Sequence, residues 1–181
     1  LGCYGDGGAI FCNNDELENK LKSLRLHGKG KHKYEIDSIG MNSRLDTIQA
    51  AILLEKLKIF DKELNLKNKL AEIYSDKIGK YVKTPSIDNF ARSAWAQYTI
   101  QTDRRDELSS YLFSKGIPNV VYYPKPLSEQ LAYKKFPNVS QETGISKDLT
   151  NSVLSLPMHA YFSENEMMYI CDSILDFFIK N

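Results

Sequence analysis

From Leu45 to about Lys80, apolar residues recur at helical spacing. Leu45, Ile48, Ile52, Leu53, Leu57 and Phe60 fill one face, and Leu64, Leu70, Ile73 and Ile78 continue it. This is long for one globular helix, so a kink or break is expected near Phe60–Leu64, and a helix of this length can bridge two domains. The chain is read accordingly as residues 1–60, a linking helix over 61–80, and residues 81–181.

The two flanks differ in character. On the N-terminal side, Gly2, Gly5, Gly7 and Gly8 mark turn chemistry, and Ala9–Cys12 reads as a short buried strand. Asn13-Asn14-Asp15-Glu16 supplies cap and first-turn residues. Leu17, Leu21 and Leu24 then predict a helix to about Leu26 that stops before Gly28. On the C-terminal side, strands are expected over Trp95–Gln101, Asn119–Tyr123 and Val153–Pro157. A helix is expected over Asp103–Lys115, with Gly116 as its stop. Ser163 and Glu166 have capping-box spacing for a last helix, whose inner face is Met167, Ile170, Cys171, Ile174, Phe177 and Phe178. Strand–helix followed by a compact α+β unit makes the chain α/β overall.

Composition narrows the partners. Twenty-four Lys+Arg stand against 23 Asp+Glu, a net charge of +1, which offers no basic excess for nucleic acid. Hydrophobic residues are 42% of the chain, with only 10 Gly and 6 Pro, so disordered and collagen-like architectures are excluded. No apolar run approaches the roughly 18 residues of a membrane span. Cys3, Cys12 and Cys171 fit neither a disulfide framework nor a zinc site; free thiols imply a reducing compartment, by default the cytoplasm. The start at Leu1, without a signal-peptide pattern, reads as a cut end with natural protein upstream.

No nucleophile elbow, P-loop or HExxH is present, and His27, His32 and His159 have no ligand-like spacing, so no metal is expected. Arg25–Lys33 is a basic, Gly-containing loop, read as a solvated, mobile connection rather than an anion site. Asn42 or Asp46, taken alone, reads as the cap of the long helix.

Six segments in order carry more than any one of them: LGCYGDGGAIF, LRLHGKG, GMNSRLDTIQAAIL, WAQYTI, GIPNVVYYPKPL and LSLPMH. Together they resemble the C-terminal half of DegT/StrS-type nucleotide-sugar aminotransferases, which depend on pyridoxal 5'-phosphate. The resemblance covers nearly the whole chain, and GMNSRLDTIQAA with YYPKPL is its most diagnostic pair. It implies the fold of type I transferases: the end of the large domain, then a small C-terminal α+β domain. It also implies a homodimer with shared active sites, a nucleotide-linked keto-sugar substrate and glutamate as amino donor.

By the same resemblance, the lysine that forms the imine with the cofactor lies upstream of Leu1, so no catalytic residue is assigned here and this chain alone is expected to be inactive. Asn42 matches the position whose amide contacts the cofactor phosphate of the neighbouring subunit. Arg44 matches a position near the substrate phosphates or the site entrance; its plain alternative is a surface ion pair. Tyr122 and Tyr123 match a pair lining the nucleotide-sugar pocket, although many relatives have His at the position of Tyr122. Residues Ile10, Phe11 and the Leu17–Leu21 face are expected to be uncovered in this chain. A second reading is a non-catalytic, degenerate module that binds a partner subunit or a nucleotide sugar; a third is a dehydrating relative.

Overall fold

The computed structural model describes residues 1–137 and 143–180. It resolves into two compact units, Leu1–Asp61 and Lys62–Asn181. Helices and strands are mixed, as an α/β chain requires. Among the described residues no helix is long and apolar enough to cross a membrane.

In the first unit the tight backbone falls at Gly2 (φ 77°) and Gly5 (φ 96°), upstream of the Gly7–Gly8 pair. Residues 9–12 form no strand, against the expectation. Ile10 is 74% and Phe11 92% exposed, because an isolated apolar run has no ladder to join. Helix α1 spans Asp15–Leu24. Asn14 is its cap: Oδ1 accepts from the Leu17 N–H at 2.9 Å, and Asp15, Glu16 and Glu18 complement the positive end. No residue of α1 is fully buried: Leu21 and Leu24 are half-buried and Leu17 is exposed, so its apolar stripe is only partly covered in this unit.

Helix α2 runs unbroken from Thr47 to Ile78. The expected break near Phe60–Leu64 is absent, since these 32 residues contain neither Gly nor Pro and are mostly strong helix formers. The division between the two units nevertheless falls inside it, after Asp61.

The second unit holds the core. Strand β1 (Tyr98–Gln101) pairs antiparallel with β2 (Val153–Leu156), in the register Tyr98↔Leu156 and Ile100↔Leu154. Helix α3 (Arg105–Ser114) ends one residue before Lys115, and Gly116 then takes φ 73°. Helix α4 (Thr143–Ser152) was not legible in the sequence, and α5 (Glu164–Lys180) completes the unit. Tyr74 of α2, Ile100, Leu108, Leu112, Leu154 and Ile174 are fully buried together. Tyr98 stacks on Tyr74 at 4.8 Å, with Trp95 at 5.3 Å from Tyr98. The Tyr74 hydroxyl donates to the Pro157 carbonyl at 2.9 Å, and that of Tyr98 shares a hydrogen bond with Ser75. Burial pushes both hydroxyls above the ordinary tyrosine range, so they persist as neutral partners.

The capping box forms as its spacing predicts. Glu166 Oε2 accepts from the Ser163 N–H at 2.8 Å, and Ser163 Oγ accepts in return from the Glu166 N–H at 3.3 Å. On the inner face, Met167, Ile170, Cys171, Ile174 and Phe177 are buried and Phe178 is half-buried.

Candidate functional site

The segment between α1 and α2 folds back on itself. The Met41 N–H donates to the Leu24 carbonyl at 2.8 Å, His27 N–H to Met41 at 2.9 Å and Ser43 N–H to Arg25 at 2.9 Å, which bridges Leu26 to Asn42. Close approach of two backbones makes this possible. A Cβ at Gly28 would lie 1.7 Å from the Ser38 carbonyl oxygen, and one at Gly40 would lie 2.2 Å from the Gly28 nitrogen. The basic loop that follows is therefore ordered at its base: Lys29 bridges Ile36, and Gly30 N–H donates to Glu35 at 2.8 Å. Its Lys29, Lys31, His32 and Lys33 side chains remain exposed, in keeping with a solvated face.

This frame holds Asn42 and Arg44. Arg44 Nε donates to Asn42 Oδ1 at 2.9 Å, and both residues are exposed. A guanidinium can only donate, so the Asn42 oxygen is the acceptor in this bond and its NH₂ remains a donor. Asn42 is not the cap of α2: the carbonyl that accepts the first helical bond, from Ala50 N–H at 2.9 Å, belongs to Asp46. An amide NH₂ and a guanidinium side by side, one neutral and one cationic, can both donate to an oxyanion such as a phosphate.

In the second unit, Asn119–Tyr123 is not a strand. Only Val120 pairs, with Ser155, through hydrogen bonds of 2.8 and 3.2 Å. Pro124 and Pro126 have no N–H to extend the ladder. The chain instead leaves the sheet at Tyr122 and Tyr123, whose rings are 5.3 Å apart and tilted by 55°. They open onto a cavity of about 570 Å³, bounded also by Pro124, Lys125 and Gln130 and by Ser146, Leu149, Thr150 and Val153. The α4 wall is the part that sequence reasoning missed; Ile145 and Leu149, four apart, were its only apolar signal. Among the described residues no group of His, Cys, Asp or Glu is arranged to hold a metal.

The pattern that defines the DegT/DnrJ/EryC1/StrS aminotransferase family matches residues 1–175. The chain belongs to that family. Pyridoxal phosphate is the cofactor of this family, and its members adopt the corresponding transferase fold. The chain is 40% identical, over 96% of its length, to UDP-2-acetamido-2-deoxy-3-oxo-D-glucuronate aminotransferase of Pseudomonas aeruginosa. It is 33% identical, again over 96%, to dTDP-3-amino-3,4,6-trideoxy-alpha-D-glucose transaminase of Streptomyces venezuelae. The crystal structure of a DegT DnrJ EryC1 StrS aminotransferase from Brucella abortus superposes with a TM-score of 0.95 at 47% identity, covering 98% of this chain and 48% of that one. This family member spans about half the length of the curated relatives it matches, 48% and 46% for the two named.

Proposed function

We propose that this chain forms part of a pyridoxal phosphate-dependent aminotransferase that passes the amino group of glutamate to a nucleotide-linked keto-sugar. The observation that carries the proposal is the Asn42–Arg44 pair: with Oδ1 committed to the guanidinium, the Asn42 NH₂ and the remaining Arg44 N–H groups are free for a phosphate. Bound cofactor supplies the electron sink that lets a C–N bond be exchanged. This chain's contribution is to hold and orient. Asn42 donates to the cofactor phosphate without adding a charge to desolvate, and Arg44 meets substrate phosphate with its planar fork. Tyr122 and Tyr123 offer stacking faces and hydroxyls to the nucleotide-sugar beside the cavity they line. The imine-forming amine is not assigned to any residue of this chain, and the working protein is a cytoplasmic homodimer whose subunits share sites.

The reading is supported by the family, by relatives named for UDP- and dTDP-linked sugars, and by the donor chemistry of the pair. Its test is isotopic. The natural full-length protein, given ¹⁵N-glutamate and a UDP-linked 3-keto-sugar, is expected to yield ¹⁵N-amino-sugar and 2-oxoglutarate. UDP-sugar binding with no nitrogen transfer would favour the non-catalytic module instead. In the same protein, Asn42→Ala is expected to weaken pyridoxal phosphate binding about tenfold, the worth of one hydrogen bond to a charged group. Asn42→Asp should weaken it further, because a carboxylate beside a phosphate repels it; equilibrium dialysis reads both. Wild-type affinity in both variants would remove Asn42 from the site.

A further inference from the structure

One wall of the Tyr122–Tyr123 cavity is held from behind. Ser146, Leu149 and Thr150 are three and four residues apart on one face of α4, and with Val153 they face the cavity. Helix α4 passes into β2 with no intervening residue: Ser152 ends the helix and Val153 opens the strand. A helix that stops so abruptly leaves its last carbonyls without intrahelical partners. Arg105, the first residue of α3, meets one of them, together with the first carbonyl of β2. Its Nη1 donates to the Thr150 carbonyl at 3.1 Å and, more weakly, to that of Val153 at 3.4 Å. The side chain is only 11% exposed; its Nε lies 2.6 Å from the Asp106 carboxylate without the geometry of a hydrogen bond. The Thr102 N–H takes the Ser152 carbonyl at 3.0 Å. The cation also sits at the negative end of the α4 dipole.

We propose that Arg105 is a positioning residue of this cavity: it fixes the end of α4, and thereby the wall that α4 contributes beside Tyr122 and Tyr123. Arg105 is not among the residues that line the cavity, so it acts on a ligand only through Thr150 and Val153. Both contacts come from one nitrogen, Nη1, at the end of a reach that a lysine side chain does not match. That the ligand is a nucleotide-linked sugar rests on the function proposed above; that Arg105 holds the wall does not.

The test uses the full chain, with UDP as the probe. Hydrogen exchange is followed in α4 and, as an internal reference, in α5. UDP affinity is measured by calorimetry for the wild type, Arg105→Met, Arg105→Lys and Tyr123→Ala. Methionine keeps much of the buried volume and removes both carbonyl contacts. In Arg105→Met, α4 amides are expected to exchange at least about tenfold faster, the scale of a lost charge-assisted hydrogen bond, with α5 unchanged. UDP binding should weaken about tenfold in step, with Arg105→Lys intermediate in both. Wild-type exchange in α4 together with wild-type UDP affinity would overturn the assignment. If Arg105→Met does not fold, Arg105→Lys decides: faster exchange confined to α4 supports the role, and equal acceleration of α4 and α5 overturns it. If UDP binds wild type and Tyr123→Ala equally or not at all, the substrate reading of the cavity fails, while α4 exchange still decides the role of Arg105.

Discussion

At the scale of single residues, two glycines in one unit should respond very unequally to the same change. Gly28 has a φ of 74°, and an added Cβ would lie 1.7 Å from a backbone oxygen that cannot rotate away. Gly28→Ala is expected to cost more than about 2 kcal/mol and to disrupt the Leu26–Asn42 bridge, because both the backbone angle and the close approach oppose it. Gly8 has open space at the same point. Gly8→Ala should stay within about 0.5 kcal/mol of wild type. Urea unfolding followed by circular dichroism compares the two, and equal losses would mean that the Gly28–Ser38 approach is not a tight one. The cysteines divide by similar logic. Cys171 is buried, and burial pushes its thiol up to about 11, so it remains a protonated core residue, whereas Cys12 is exposed.

At the scale of elements, the capping box of α5 sets an acid limit. The Ser163 hydroxyl, and then its N–H, hold the Glu166 carboxyl below its usual value of 4.5. A carboxyl whose folded value lies below its unfolded value stabilises fully above the unfolded value, and that stabilisation is lost as pH falls through the folded one. Ser163→Ala is therefore expected to lower the melting temperature near neutrality, by the equivalent of about 1 kcal/mol for a lost cap. It should also flatten the dependence of melting temperature on pH below 4.5, where wild type declines. Parallel curves for the two proteins would refute the coupling. Elements with local signals were legible in the sequence for this reason: caps at Asn14 and Ser163, the stop at Gly116, and alternation in β1 are written in neighbouring residues, although the strand begins at Tyr98 and not at Trp95, whose φ is 45°. Elements that need distant partners were not. Residues 9–12 have strand composition without a ladder, Val120 pairs for a single residue, and α4 is stabilised by Arg105 forty-five residues away. The site divides in the same way. Asn42, Arg44, Tyr122 and Tyr123 stand in quotable motifs, but the cavity wall that α4 contributes exists only in three dimensions.

At the scale of the whole molecule, much apolar surface is in water. Phe11 is 92% exposed, Ile10 74% and Leu17 46%, beside an apolar groove of about 580 Å³ bounded by Ala9, Leu21, Leu24 and Met41. Contiguous apolar surface of this kind associates with whatever can cover it. The 181-residue chain by itself is expected to self-associate at micromolar concentration, and light scattering showing a clean monomer would contradict this. Substituting Phe11 and Ile10 by Ser should shift the population toward monomer.

The meeting of Gly28 and Gly40 has a practical side. Because the backbone closes on itself there, residues 29–39 leave and re-enter at almost one point. What lies between is zipped at its base, where Lys29 bridges Ile36 and the Asp37 N–H returns to the Gly28 carbonyl, and only its tip, residues 31–34, is a cartridge. A peptide tag, a fluorophore site or another loop of different length could be exchanged into it while Asn42, just past the second end, keeps its place.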